Sequence, residues 1–207
     1  DARSKVYDFL RSQVKEGRQC YVVAPLIEES ERLDCRSAED VYEELKNKYK
    51  DMRIGLVHGA MKQEEKDGVM EQFAVGQVDI LVSTVVIEVG INVANATVMV
   101  IENSERFGLA QLHQLRGRVG RGSHQSYCIL ICGKESEVAA KRNEIMCSTE
   151  DGFTIAEEDL KLRGPGEIFG TRQHGLPELN ISDLVKHADV LEQVKLVAKD
   201  ILDQDPN

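Results

Sequence analysis

The run Gln114-Leu115-Arg116-Gly117-Arg118-Val119-Gly120-Arg121-Gly122 is the part of this chain best equipped for chemistry. Three arginines fall within six positions with glycines between them, and the segment from Phe107 to Gly133 holds no acidic residue. The chain as a whole carries a net charge of -10, so the basic stretch runs against its background. Arginine presents a fixed fork of donors suited to phosphate oxygens, and glycine lets a backbone approach a ligand closely. The pattern predicts a grip on a polyphosphate. The plainer alternative is a basic loop in surface ion pairs worth about 0–1 kcal/mol each, which explains neither the glycine spacing nor the missing acids.

The other half of a nucleotide site is missing from the sequence. No Gly-x-x-x-x-Gly-Lys-Ser/Thr loop is present to cradle a phosphate, and Gly133-Lys134 is followed by Glu135 rather than a hydroxyl. No predicted strand ends in the paired acids that hold magnesium, and no metal site is predicted. The arginines therefore read as fingers that reach a phosphate held by something else.

The elements that must position them follow from periodicity. Val6, Phe9, Leu10 and Val14 recur at helical spacing before Gly17, which predicts a helix over 3–16. The short apolar run at 20–24 reads as a strand buried on both faces, and 53–58, 80–82, 98–101 and 127–131 read as further strands. Helices are predicted after Ser37 (carrying Val41, Leu45 and Tyr49), near 62–74, and over about 109–119 with the arginine run at its end. Alternating strands and helices imply βαβ units, hence an α/β fold with a parallel, helix-covered sheet over 1–133. Beyond Lys134 the pattern predicts helices at about 135–148, 155–162 and 181–202 and an irregular stretch from Arg163 to Gly175. In such sheets ligands sit at the carboxyl ends of the strands. His58-Gly59, the segment from Ser83-Thr84 to Asn92, and the arginine run are all expected there.

The totals narrow the class. The 207 residues, 42% hydrophobic and 30% charged, suit one soluble domain or one domain plus an appendage. No stretch is long and apolar enough for a membrane span, and the N-terminus lacks a signal-peptide pattern. The five cysteines are scattered without a Cys-x-x-Cys pair, which argues against zinc or a disulfide framework and for a reducing cytoplasm. Cys128 and Cys132 are expected to be buried small hydrophobes on one strand face. Acids crowd 28–51 and 150–159, so a basic face on an acidic body stays compatible with DNA.

Taken together the motifs resemble those of superfamily 2 helicases, in their second RecA-like lobe. Gln114-x-x-Gly117-Arg118-x-Gly120-Arg121 resembles motif VI, and Ser83 to Val93 resembles motif V. Val22 to Ser30 and His58-Gly59 look like motifs IV and IVa. Pro25 to Ser30, Asp151-Gly152-Phe153 through Arg163-Gly164-Pro165-Gly166-Glu167, and Gly170-Thr171-Arg172-Gln173 are similar to the RecG family of branched-DNA translocases. The resemblance spans essentially the whole chain. It implies an ATP-dependent helicase, with ATP and magnesium held mainly by an N-terminal motor lobe outside this chain. Arg118 and Arg121 would contact the γ-phosphate, and Gln114 would link that contact to the lobe interface. Glu88, Gly90 and Asn92 would lie toward the nucleotide. Ser83, Thr84 and His58 would face the DNA backbone. Arg142, Arg163, Arg172 and Gln173 would couple hydrolysis to movement, in a helical hairpin and loop covering 134–207. The implied partners are branched DNA, such as forks and Holliday junctions, and the N-terminal motor lobe and wedge domain of the same protein.

Two positions depart from the pattern: Asn92 stands where an aspartate is usual and Ala94 where a proline is. An amide keeps an acceptor for a ribose hydroxyl but loses the charge. Plainer roles stay open for some residues: a helix cap for Thr84, a structural turn for His58, a packing cap for the C-terminal part. The lobe of a transcription-repair coupling translocase and a non-catalytic module of helicase ancestry are alternatives. The start at Asp1, without methionine, suggests an excised fragment.

Overall fold

The computed structural model of the chain describes residues 2–26, 37–84, 93–134 and 136–163. The elements run α1 (Ala2–Lys15), β1 (Gln19–Ala24), α2 (Ala38–Lys48), β2 (Ile54–Val57), α3 (Gln63–Ala74) and β3 (Ile80–Thr84). They continue with β4 (Ala96–Glu102), a 3-10 turn (Ser104–Arg106), α4 (Leu109–Arg116), β5 (Tyr127–Ile131), α5 (Glu137–Ser148) and α6 (Gly152–Arg163). The five strands form one parallel sheet in the order β2-β3-β1-β4-β5. Strands β1, β3 and β4 are buried at every position, which is why they read as near-continuous apolar runs.

The pleat divides the core in two. Cys20, Val22, Ile80, Val82, Val98 and Val100 face α1 and α2, packing with Tyr7, Leu10, Val41 and Leu45. On the opposite face the Tyr21 ring meets Phe73 of α3 at 4.9 Å and 56°. Leu109 and Leu112 of α4 are fully buried. Crossovers of one hand put helices on opposite faces when the sheet grows in opposite directions, as it does one way through α2 and back through α3 and α4. Helix α2 starts with a capping box: Ser37 Oγ accepts from the Asp40 amide at 3.0 Å, and Asp40 Oδ2 accepts from the Ser37 amide at 3.1 Å.

Three expectations need correction. Helix α4 ends at Arg116 instead of running to 119, because the chain turns away through Gly117 and reaches φ +79° at Gly120. Helix α6 begins at Gly152, earlier than predicted, because Asp151 Oδ2 accepts from the Thr154 amide at 2.9 Å and its hydroxyl at 2.6 Å. Cys128 and Cys132 are half-buried, not buried: β5 is an edge strand, and Cys132 lies just past its end. Cys20, by contrast, is fully enclosed, and burial pushes its thiol up to about 12.

The chain divides into two compact units, Asp1–Ile155 and Ala156–Asn207. The first holds the whole sheet, with α5 packed on α4 and on the 3-10 turn. In the second, described residues 156–163 complete α6, where Lys161 pairs with Glu158 at 2.7 Å. The predicted helix over 181–202 lies outside the described residues. Among the described residues no helix is long and apolar enough to cross a membrane.

Candidate nucleotide- and DNA-facing site

The arginine run occupies the loop between α4 and β5. A helix joining two parallel strands must run back across the sheet, so its end, and the loop after it, fall at the amino ends of the strands. This corrects the expectation that the run sits at the carboxyl ends. Its neighbour confirms the position: a Cβ built on Gly122 would lie 2.5 Å from the carbonyl oxygen of Ala94, just before β4 begins. Only a residue without a side chain fits against that backbone. A Cβ on Gly120 would meet Ser126 Oγ at 2.8 Å.

The arginines differ in what they touch. Arg116 turns inward and its Nη1 donates to the carbonyls of Met146 and Thr149, 2.8 Å each, at the C-terminal end of α5. Arg121 is exposed and its Nε donates to the Gly117 carbonyl at 2.9 Å, which folds the loop on itself. Arg118 is half-buried, and Gln114 is exposed on α4. Beneath them lies Tyr21, whose hydroxyl burial pushes up to about 12 while the nearby Arg118 and Arg121 charges pull it down. A neutral phenol and two guanidinium groups thus share one end of the sheet.

At the opposite edge a cleft of about 680 Å³ opens, lined among others by Pro25, Ser37, Glu39, His58, Gly59 and Thr84. His58 Nδ1 stands 3.7 Å from Glu39 Oε1. The structure brings His58 and Thr84 together but not Ser83. In the β1–β3 register Val22 pairs with Val82 and Val23 with Ser83, so Ser83 faces the α3 side and Thr84 the α2 side. Ser83 is fully buried and Thr84 is 6% exposed; neither hydroxyl has a hydrogen-bond partner among the described residues.

A third polar group sits where β4 and β5 end. Asn103, in the left-handed region at φ 49°, donates to Glu105 Oε1 at 3.1 Å, and the Gly133 amide donates to Glu105 Oε2 at 3.0 Å. Burial pushes the Glu105 carboxyl up, but these donors outweigh it and hold it below its ordinary 4.5. Arg142 of α5 reaches the carbonyls of Glu105 and Phe107 at 3.5 Å each, so it bears on this exit and not on the arginine loop. Nearby, Glu102 is completely buried, accepting from Tyr7 Oη at 2.5 Å and pairing with Arg3 at 3.0 Å. Sequence reasoning missed that cluster, although a lone acid ending an apolar strand was a visible signal. Glu88, Gly90, Asn92, Arg172 and Gln173 lie outside the described residues, and Arg163 closes α6. No group of three or more His, Cys, Asp or Glu among the described residues could hold a metal ion.

A five-stranded parallel α/β lobe of RecA-like fold, with a glycine-spaced arginine loop, is the second lobe of the helicase class. The profile of the helicase conserved C-terminal domain matches residues 1–123, and the chain belongs to that family. A second profile, that of ATP-dependent DNA helicase RecG, domain 3, C-terminal, matches residues 149–207. Among curated proteins the chain is similar to ATP-dependent DNA helicase RecG of Synechocystis, 50% identical over 206 residues, covering 99% of this chain and 25% of that protein. The Bacillus subtilis protein of the same name is 48% identical over 212 aligned residues, covering 100% of this chain and 31% of that one. The Thermotoga maritima one is 54% identical over 193 residues, covering 93% and 25%. The chain thus spans a quarter to a third of the length of these relatives. Among solved structures, RecG bound to a three-way DNA junction matches with TM-score 0.68 and 51% identity, over 91% of this chain and 24% of that one. Domain 2 of the DEAD-box helicase Mss116p, bound to an RNA duplex, shares the fold with TM-score 0.56 at 19% identity, over 76% of this chain and 63% of that one.

Proposed function

We propose that this chain is the C-terminal motor lobe of a RecG-like, ATP-dependent DNA helicase that remodels branched DNA such as stalled forks and Holliday junctions. Arg118 and Arg121 act as fingers on the γ-phosphate of ATP, and Gln114 relays that contact to the lobe interface. ATP and magnesium are held mainly by an N-terminal motor lobe, while a wedge domain engages the branch. Thr84 and His58 face the DNA backbone. Residues 1–133 form the lobe, and 134–207 form the hairpin and coupling loop, with Arg142, Arg163, Arg172 and Gln173 in the coupling role. Such an enzyme works in the cytoplasm.

The observation that carries this reading is the asymmetry of the arginine loop. Arg116 is committed to the end of α5, whereas Arg121 is exposed and Arg118 half-buried on a glycine-turned loop. No phosphate loop in the sequence gives those two a ligand of their own, which suits groups that complete a site on another lobe. A positioned guanidinium stabilises charge on the transferring phosphoryl group, worth about 10³–10⁵ in rate. In the intact enzyme, Arg121→Ala or Arg118→Ala should cut ATP hydrolysis steeply while leaving DNA affinity nearly unchanged, because the lost interaction belongs to the transition state. Normal turnover with much weaker DNA binding would put these arginines on DNA phosphates instead. Titrating labelled DNA and measuring hydrolysis on the same preparations separates the two.

A further inference from the structure

The carboxyl-edge cleft contains a charged residue that neither its motif nor any resemblance singles out. Glu39 lies in the first turn of α2 and reaches His58 across the cleft, 3.7 Å from Oε1 to Nδ1. Its neighbour Asp40 is engaged in the capping box with Ser37. Glu39 has no part in that box, and its side chain is 54% exposed against 23% for His58. The Thr84 hydroxyl lies in the same wall, buried and with no hydrogen-bond partner among the described residues. An imidazole, an unsatisfied hydroxyl and the amino end of an 11-residue helix therefore converge on one place, and a carboxylate already stands there.

A carboxylate and a phosphate diester present the same charge and the same acceptor oxygens to these groups. They cannot both occupy the cleft without repelling each other. We infer that Glu39 is a built-in competitor for the DNA backbone, a carboxylate that must release His58 before a backbone phosphate takes its place. The inference rests on the reading that His58 and Thr84 face DNA. It deepens that reading by naming what keeps the grip weak. A partly exposed pair at this distance is cheap to break, so Glu39 lowers the affinity for each phosphate without closing the cleft. A lobe that must release the strand on every cycle gains from such a weak hold.

The test uses the intact helicase that carries this chain, with a fluorescein-labelled three-way DNA junction as the probe. Glu39→Gln keeps the size of the side chain and removes its charge, and an exposed position tolerates the change. DNA affinity should rise by about three- to tenfold at low salt, as expected for deleting one like charge a few ångströms from a phosphate. The gain should shrink as salt rises, since the screening length falls from about 10 Å at 0.1 M to about 3 Å at 1 M. In a His58→Ala background the gain should shrink by the part owed to freeing the imidazole, leaving only the direct repulsion between carboxylate and phosphate. Unchanged affinity in Glu39→Gln, alongside weaker binding by His58→Ala and Thr84→Ala, would leave the DNA-facing cleft standing and remove the competitor. A gain that persists in full without His58, or a loss of affinity in Glu39→Gln, would also overturn it. If none of the variants alters binding, the cleft does not face DNA and both readings fall together.

Discussion

Arg116, Arg118 and Arg121 are chemically identical and sit within six positions, yet their surroundings give them different work. Arg116 is held at 2.8 Å by two carbonyls at the end of α5, Arg121 lies out on the loop with one contact to Gly117, and Arg118 is half-buried above Tyr21. A comparable distinction applies to Glu105. Its carboxyl is held below its ordinary 4.5 by the Gly133 and Asn103 donors, in spite of burial. A carboxyl whose folded value is depressed contributes stability that is fully present above the unfolded value. That contribution is lost as pH falls through the folded one. Melting temperature should therefore decline below about pH 4.5, and Glu105→Gln should flatten that acid limb while lowering the plateau above it. An unchanged acid limb in Glu105→Gln would assign the slope to other carboxylates.

At the scale of elements, α4 is the piece that connects the parts. Leu109, Leu112 and Leu115 bury one side of it against the sheet, its end releases the arginine loop, and Arg116 ties it to α5. Hydrogen bonds from a charged donor contribute about 1.5–3 kcal/mol, and the two made by Arg116 are partly buried. Arg116→Ala should accordingly destabilise the lobe by about 1–3 kcal/mol, seen as a lower melting temperature and faster proteolysis at the α5–α6 turn. The loop itself is tightly constrained where Gly122 meets Ala94. Gly122→Ala puts a methyl group 2.5 Å from a carbonyl oxygen, so the loop must shift. ATP hydrolysis by the intact enzyme should fall more than stability does, because a small misplacement of a finger is costly in rate. Equal losses in both would make the contact a matter of packing alone.

On the scale of the whole molecule, the lobe presents two working ends. The arginine loop lies at the amino ends of the strands and the Glu39–His58–Thr84 cleft at the carboxyl ends, with the fully buried strands β1, β3 and β4 between them. Under the proposed function the first end meets the nucleotide and the second meets DNA. The purified 207-residue chain should then show negligible ATPase activity, because neither a phosphate loop nor magnesium ligands appear in its sequence. Robust DNA-stimulated hydrolysis by it would end the reading of half a motor. In the intact enzyme, Gln173→Ala or Arg172→Ala should leave DNA-dependent hydrolysis largely intact while fork unwinding drops sharply. Both rates are measured on one branched substrate, and a proportional fall in the two would make that segment structural only.

The sequence by itself determined the α/β class, all five strands and the helices between them. Strands buried on both faces must be apolar throughout, and amphipathic helices must repeat at 3.6 residues, so both signals are local. It also determined the arginine run and its resemblance to helicase motif VI, because glycine spacing and the local lack of acids are properties of adjacent residues. Only the tertiary structure decided where those residues stand. Topology carries the arginine loop to the amino edge, since a crossover helix reverses direction, and no local pattern records that. The pleat separates Ser83 from Thr84, neighbours in sequence that face opposite sides of the sheet. Pairings over long separations, such as Arg3 and Tyr7 with Glu102, or Glu39 with His58, leave no trace in spacing. They arise when helices pack against strand ends far from them in the chain, which is a consequence of sheet order.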